Sequence, residues 1–319
     1  MKTLCLWAVL LPFLLLAHTS SAQPRADFSD ADCKAAFLDY MNRKATAIGM
    51  TQTHFSDGSG IVAKGSAITP TDALRLAVCA DAYPAIHQSW GADTYYLTVE
   101  GPRPRTLMLI PRDRTPFTNH YQLLGAKTGT LQGCNNAMVV GQAADGRKYI
   151  VVVLNSTWTE RWRDARKLMD IARRRQQNAD ASVTDIRLVG TGAAAMPYPF
   201  QLPLLLRMDS LSLLYQQQGD VRQLPASVTK AMTAICMLDW VQQLDTQFEI
   251  KQSDLTGGSG PLFRDGDRIS FRDALYAMFL PSSNTVAVAL SRVVGRMILE
   301  VSNTRQASPY RLWKVSVKY

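Results

Sequence analysis

The sequence predicts a mixed α/β protein, because segments with helical periodicity alternate with short strand-like runs along most of its 319 residues. Apolar residues make up 47% and charged residues 19%, which is typical of a globular chain with a sizeable core. The length is sufficient for one large domain or two smaller ones. The predicted helices cover residues 30–45, 71–80, 161–175, 228–244, 271–280 and 285–294. The predicted strands cover residues 95–99, 105–110, 123–130, 136–143, 149–154, 204–208 and 212–215.

The first 22 residues have the pattern of a secretory signal peptide and are set apart from the fold. Lys2 gives a positive start, residues 4–17 are almost wholly apolar, and residues 18–22 place small side chains at a cleavage point. The apolar run is short for a membrane span, and an uncleaved anchor is the alternative. We therefore expect an exported protein of the periplasm or cell envelope.

Four cysteines follow the signal peptide, and their spacing shows no C-x-x-C pair. They are Cys33, Cys79, Cys134 and Cys236. An oxidising compartment permits pairing, and four cysteines allow three connectivities. Buried free thiols are the favoured prediction, and neither a metal nor a cofactor is expected.

The net charge of +9 is partly concentrated in residues 161–175, which combine arginines with helical apolar spacing. A basic, solvated helix face is the prediction. Nucleic-acid binding is not expected, because no stacking platform or recognition motif accompanies the charge. Peripheral association with an anionic membrane or cell envelope is left open.

Three short motifs could carry chemistry: Ser227-Val228-Thr229-Lys230, Ser282-Ser283-Asn284 and Lys127-Thr128-Gly129. A serine needs a base within hydrogen-bond reach to become a nucleophile, and positions i and i+3 of a helix share one face. A helix that begins near Ser227 therefore places Lys230 beside it, and its N-terminal N–H groups suit a developing oxyanion. A buried lysine near a second cation, for which Lys127 is the candidate, can lose its proton.

Each motif alone is weak evidence. An S-x-x-K is expected about once by chance in a chain of this length, and a K-T-G in roughly one chain in ten. Ser227 and Ser282 could be helix caps, and Lys230 could be a solvated lysine. The contexts favour a site, because Pro225 precedes a helical pattern, Pro281 separates two others, and the K-T-G lies in a strand-like run.

Taken together, the motifs and their contexts resemble the D-alanyl-D-alanine carboxypeptidases, which are low-molecular-weight penicillin-binding proteins of the serine β-lactamase/transpeptidase-like superfamily. The resemblance covers most of the mature chain in two blocks. The first block contains residues 49–55, 118–120 and 125–130; the second contains 213–215, 225–233, 264–268 and 280–289. In the family the K-T-G follows the other motifs, whereas here it comes first, so the chain looks circularly permuted.

The resemblance implies a five-stranded antiparallel sheet flanked by helices, beside a mostly helical subdomain. It also implies that the usual first strand lies next to the usual last one. We divide the chain accordingly into a K-T-G half (23–175), a linker (176–190) and a half with the S-x-x-K and S-x-N motifs (191–295). Residues 296–319 match nothing in the family pattern.

The resemblance also implies catalytic roles for four residues. Ser227 attacks the carbonyl of the penultimate D-alanine, and Lys230 takes its proton. Ser282 relays a proton to the leaving amine, and Asn284 holds the substrate and Lys230 in place.

Four further residues are implied to bind the substrate. Lys127 and Thr128 bind its terminal carboxylate, and Gly129 lets it lie alongside the strand. The backbone N–H groups of Thr130 and Ser227 form the oxyanion hole. His54, His87 and His120 need no catalytic role.

The predicted function is a serine D,D-carboxypeptidase that acts on peptidoglycan stem peptides and is acylated by β-lactams. One alternative is a β-lactamase or esterase of the same fold, although no deacylating glutamate motif is recognisable. Another is a non-catalytic relic that binds peptidoglycan peptides. A third is a swapped homodimer, in which the two halves pair between chains.

Overall fold

The computed structural model describes residues 27–112, 121–177, 202–207 and 212–303. The predicted signal peptide, the motif at 118–120, most of the linker and residues 304–319 lie outside this part of the chain.

Helices and strands alternate through the described residues, which confirms the prediction of a mixed α/β fold. The helices are α1 Asp30–Ala47, α2 Pro70–Asp81, α3 Pro84–Gly91, α4 Glu160–Gln177, α5 Thr229–Trp240, α6 Phe271–Phe279 and α7 Asn284–Asn303. The strands are β1 Tyr95–Val99, β2 Arg105–Leu109, β3 Tyr121–Leu131, β4 Cys134–Ala143, β5 Lys148–Ser156, β6 Leu202–Arg207, β7 Ser212–Gln216, β8 Gln247–Glu249 and β9 Arg268–Ser270.

The main sheet has the strand order β3-β4-β5-β6-β7, and all of its neighbouring strands are antiparallel. Strand β5 pairs with β6 from Tyr149 opposite Arg207 to Leu154 opposite Leu202. The two blocks that sequence analysis distinguished therefore meet in one sheet. The ribbons β1-β2 and β8-β9 are separate two-stranded sheets.

The central strands β4 and β5 are buried on both faces, as the continuous apolar run of β5 predicts. Alternate residues face opposite layers. Val139, Val151 and Val153 pack with α4, whereas Met138 and Ile150 belong to the larger core among the other helices. Each such side chain contributes about 1.5–3 kcal/mol when fully buried. The sheet is thus the middle layer of the fold. Strand β3 is at the end of the sheet, so β4 pairs with only one of its edges.

The first helix begins at Asp30, as the sequence predicts, and its cap is Ser29. The Ser29 Oγ accepts from the Asp32 N–H at 3.1 Å, and the Asp32 carboxylate accepts in turn from the Ser29 N–H. This reciprocal pair satisfies N–H groups that have no partner within the helix.

Two helix ends differ from the prediction by four residues or more. Helix α5 ends at Trp240, not Leu244, because Val241 takes an extended conformation with its side chain in the core. Helix α7 continues to Asn303 instead of ending at Val294. Its extra turns pack on α1: a Cβ at Gly295 would lie 1.8 Å from the Cys33 carbonyl oxygen, and Ile298 is buried.

The four cysteines of the described chain are free and buried, which confirms the prediction. Burial raises the pKa of the Cys79 thiol to about 11, so this group stays protonated at neutral pH. Among the residues described, none of the helices has the length and apolar character needed to cross a membrane.

Candidate active site

The three motifs converge where α5, α7 and the edge strand β3 meet. Ser227 lies in a short 3₁₀ helix, Ala226–Val228, that leads directly into α5. Ser282 and Asn284 stand at the start of α7, and residues 127–130 belong to β3. Tertiary packing therefore brings together side chains that are up to 157 positions apart in the chain.

Lys230 is the centre of this group, and its side chain is fully buried. Its Nζ lies 2.9 Å from the Ser227 Oγ, 2.8 Å from the Asn284 Oδ1 and 2.8 Å from the Ser59 carbonyl oxygen. Burial lowers the pKa of Lys230 to about 7, against an opposing effect of the Asp57 carboxylate. The alternative of a solvated lysine is wrong.

These partners define the direction in which a proton can move. The carbonyl oxygens of Ser59 and of the Asn284 amide can only accept hydrogen bonds, whereas the Ser227 hydroxyl can also donate. A neutral Lys230 amine that donates to both carbonyls keeps its lone pair for the Ser227 O–H. The arrangement therefore suits transfer of the serine proton to the lysine.

The Ser59 carbonyl is held by a loop that sequence analysis did not connect with the site. The Asp57 carboxylate accepts from the backbone N–H groups of Ser59, Gly60 and Val62, and also from the Ser59 hydroxyl. The turn residues at 57–60 were visible in the sequence, but a main-chain carbonyl leaves no residue-type signal. Asp57 thus fixes an acceptor for Lys230 from the K-T-G half.

Lys127 is the second buried cation of the site, 1% exposed. Its Nζ donates to the Ser282 Oγ at 2.9 Å and to the Thr128 carbonyl oxygen at 2.7 Å. The contact joins β3 to the S-x-N motif. Lys127 is not among the main influences on the pKa of Lys230, which burial lowers chiefly by itself.

Ser282 adopts a left-handed backbone conformation, with φ of 63°. Such a conformation costs an L-residue about 1 kcal/mol or more and is often found at functional sites. The alternative that Ser282 caps the helix is wrong, because the Ser283 Oγ accepts from the Val286 N–H. The Ser282 hydroxyl is instead turned towards Lys127.

Gly129 lies directly under the 3₁₀ helix that carries Ser227. A Cβ on this residue would stand 2.9 Å from the Ser227 nitrogen and 3.1 Å from the Pro225 carbonyl oxygen. Ala226, between them, also has a left-handed backbone, with φ of 49°. Only glycine lets β3 approach the 3₁₀ helix so closely.

Arg161 departs from the prediction that the basic residues of this helix form a solvated face. Its side chain is fully buried at the start of α4, where Nη1 donates to the Thr130 Oγ1 at 3.0 Å and to the Gly129 carbonyl oxygen at 3.3 Å. The guanidinium also lies over the Trp158 ring, 4.4 Å from its centroid. A positive charge therefore supports β3 from the face opposite Ser227.

The histidines and acidic residues of the described chain form no metal site. Within the described ranges, no group of three or more His, Cys, Asp or Glu side chains is placed to hold a metal ion. His87 pairs with Asp81 at 2.8 Å, His54 forms a backbone bridge with Ala67, and His120 lies outside the described residues.

Comparison with known families agrees with this geometry. The family model for D-alanyl-D-alanine carboxypeptidase matches residues 27–157 and 202–296, which is well over half of the chain. This chain belongs to the D-alanyl-D-alanine carboxypeptidase family. It is therefore a peptidase by family, and both matched segments of the carboxypeptidase model contribute to the buried group around Lys230. Neither the curated proteins nor the solved structures gave a match.

We predict that Gly129→Ala destabilises the protein by about 1–3 kcal/mol, because the new methyl group forces the 3₁₀ helix away from β3. Gly257→Ala is the matched control, since a Cβ at that position meets nothing within 4 Å. Urea unfolding of both variants measures the difference. Equal stability of the two would contradict the close approach.

Proposed function

We propose that this carboxypeptidase-family chain is a serine D,D-carboxypeptidase that removes the terminal D-alanine from peptidoglycan stem peptides through an acyl-enzyme on Ser227. The observation that carries the proposal is the hydrogen-bonded group of Ser227, Lys230 and Asn284 around a buried amine. Peptidoglycan stem peptides and β-lactams are the proposed ligands.

The first step is attack by the Ser227 Oγ on the carbonyl carbon of the penultimate D-alanine. The new C–O bond forms as the hydroxyl proton passes to the neutral amine of Lys230. A pKa of about 7 leaves a substantial fraction of Lys230 neutral at physiological pH. Ser227 is partly exposed, so substrate can reach the oxygen while the base stays buried.

The negative oxygen of the tetrahedral intermediate is assigned to the N–H groups of Ser227 and Thr130. Gln132 and Gly133 both have positive φ, which is typical of a two-residue type I′ turn closed by a hydrogen-bonded pair at Leu131 and Cys134. Because bonded and non-bonded pairs alternate along antiparallel strands, Thr130 does not direct its N–H at β4. Its N–H therefore points out from the free edge of β3.

The substrate carboxylate is assigned to Lys127 and Thr128, on the same edge. Lys127 brings the positive charge, and Arg161 adds a second cation behind Thr130. Collapse of the intermediate breaks the peptide C–N bond, and the proton that Lys230 took from Ser227 passes through Ser282 to the leaving D-alanine amine. Water then hydrolyses the ester on Ser227 and restores the enzyme.

We also infer that the chain is exported and works in the periplasm or cell envelope, where peptidoglycan peptides occur. The family match and the signal-peptide pattern of residues 1–22 support this inference. Its positive net charge of +9 is compatible with an anionic envelope surface.

We further infer that the domain is circularly permuted. The pairing of β5 with β6 supports this inference, because it unites the end of one matched segment with the start of the other. The two remaining segment ends are also neighbours: Arg296 donates to the Phe28 carbonyl oxygen at 2.9 Å. Adjacent ends are what a permutation requires.

We predict that a relinked chain, with residues 202–303 first and residues 27–177 second, folds and reacts with penicillin as the present chain does. A flexible linker of about eight residues covers the path from the end of α7 back to α1. The measurements are the acylation rate constant and the mass in solution, which also detects a swapped dimer. An unfolded relinked chain, beside a folded original, would contradict the permutation.

We predict that Ser227→Ala abolishes labelling by a fluorescent penicillin and release of D-alanine from a pentapeptide ending in D-Ala-D-Ala. Ser302→Ala, on the last turn of α7, is the control and keeps both activities. Labelling that survives in Ser227→Ala would contradict the serine mechanism. A folded wild-type protein that does neither would support the non-catalytic alternative.

We predict that the acylation rate constant rises with pH and reaches half its maximum near pH 7. Lys230 has its pKa lowered to about 7, so it is protonated and inactive as a base below that pH. Lys230→Arg, which stays charged, lowers the rate constant by about 10²–10⁴-fold. Stopped-flow labelling between pH 5 and 9 measures both effects. A wild-type rate constant that still rises about tenfold per pH unit at pH 9 would contradict the assignment, because it would indicate a base with the ordinary lysine pKa.

A further inference from the structure

Asn136 in β4 is fully buried and uses both ends of its side-chain amide. Its Nδ2 donates to the carbonyl oxygens of Leu224, at 2.8 Å, and of Pro225, at 3.0 Å. Its Oδ1 accepts from the Asn155 N–H at 2.9 Å. Two donated bonds and one accepted bond fix the orientation of the amide.

A local irregularity in the sheet makes room for this arrangement. The register between β4 and β5 shifts between Asn135 and Ala137, so Asn136 has no strand partner on β5. Its side-chain oxygen takes the N–H of Asn155, which itself has a left-handed backbone with φ of 55°. The side-chain amide thus replaces one hydrogen bond between the two strands. Its NH₂ group faces Leu224 and Pro225, in the half that carries Ser227.

The two carbonyls that Asn136 binds belong to Leu224 and Pro225, three and two residues before Ser227. Pro225 also accepts from the Val228 N–H at 3.3 Å, which closes the 3₁₀ turn around Ala226 and Ser227. Ala226 holds an unfavourable backbone conformation, so the turn needs external support to persist. The Asn136 amide is such a support, supplied by the K-T-G half.

Asn136 acts at the same level of the sheet as Gly129, which is its partner across β3 and β4. Gly129 lets the segment of Pro225 and Ser227 come close, because it has no Cβ to collide with them. Asn136 binds that segment and keeps it there. The distance between Ser227 and the K-T-G strand is therefore set by these two residues together.

We propose that Asn136 is a positioning residue that fixes Ser227 against the K-T-G strand and makes nucleophile placement depend on docking of the two halves. This inference rests on the proposed function. Asn136 does not act on the base, because the Lys230 amine is held by Ser59, Asn284 and Ser227 itself. Its loss therefore misplaces the nucleophile and leaves the base with its two carbonyl partners.

The test compares Asn136→Ser and Asn136→Asp with the wild-type protein in acylation by a fluorescent penicillin. Asp keeps an oxygen for the Asn155 N–H but sets oxygen against the Leu224 and Pro225 carbonyls. We expect both variants to lose about 10–100-fold in the acylation rate constant, since a displacement of about 1 Å has effects of this size. Non-covalent binding of penicillin before acylation changes less than about threefold.

The pH profile separates positioning from general loosening of the site. Asn136→Ser keeps a midpoint near pH 7, because Lys230 retains its burial and its carbonyl partners. Tyr40→Phe is the control for loss of a buried hydrogen bond, that of the Tyr40 hydroxyl to Asp239, and keeps the wild-type rate constant.

Three results would overturn the inference. A folded Asn136→Ser at the wild-type rate would show that the amide does not position the nucleophile. A wild-type rate in Asn136→Asp alone would show that only the bond to Asn155 matters. If the variants do not fold, rapid solvent exchange of the Asn136 NH₂ protons in the wild-type protein decides against the inference, and slow exchange supports it.

Failure of the proposed function would look different. If the wild-type protein is folded but is not labelled, hydrogen exchange at residues 226–228 becomes the readout. Faster exchange in Asn136→Ser than in the wild type and in Tyr40→Phe supports the positioning role of Asn136. Unchanged exchange there overturns it, independently of any activity.

Discussion

The burial of the Lys230 amine is the constraint on which the rest of the site depends. An amine removed from water must find hydrogen-bond partners within the protein, or its burial becomes strongly unfavourable. Its three partners come from separate places: a loop of the first block, the 3₁₀ helix and the start of α7. The oxygen atom of each partner must lie within about 3 Å of the Lys230 Nζ. The requirement therefore fixes the relative positions of elements that are far apart in sequence.

That requirement explains where the backbone is strained. Ala226 and Ser282 both have left-handed conformations. Ala226 immediately precedes Ser227 and Ser282 lies two residues before Asn284, and both of these are partners of Lys230. Each conformation costs about 1 kcal/mol or more. The surroundings maintain them, because Ala226 is fully buried and Ser283 caps the following helix. Strain at these points turns the serine hydroxyls towards the two lysines instead of into ordinary capping positions.

Much of the fold was predictable because it follows from local patterns. Thr69 caps α2 and Pro70 is its first residue, which is a local signal for a helix start, and the apolar run of β5 is a doubly buried strand. The extra length of α7 was not predictable, since it depends on contact with α1. Burial of Arg161 was not predictable either: a basic run indicates a solvated face unless the position of β3 is known. Local periodicity carries no information about such tertiary neighbours.

The candidate site was predictable to the extent that side-chain type reveals chemistry. The motifs named the residues that meet, but not the contributions of Ser59 and Asn136. Ser59 acts through a main-chain carbonyl, which every residue has. Asn136 lies in a strand where an asparagine has many ordinary explanations, and its partners are again main-chain carbonyls. The chemistry is thus encoded in residue types, whereas its positioning is encoded largely in backbone contacts.

Neither half of the chain contains all the residues of the site. The first block supplies the Ser59 carbonyl, Lys127 and Asn136, and the second supplies Ser227 with the remaining partners of Lys230. The β5-β6 contact joins the halves, and the entropy of closing the connecting loop changes only slowly with its length. Order along the chain therefore matters little to the finished site but more to its formation. With the K-T-G half first, the apolar strand β5 has one open edge until β6 follows, and such an edge favours wrong pairing.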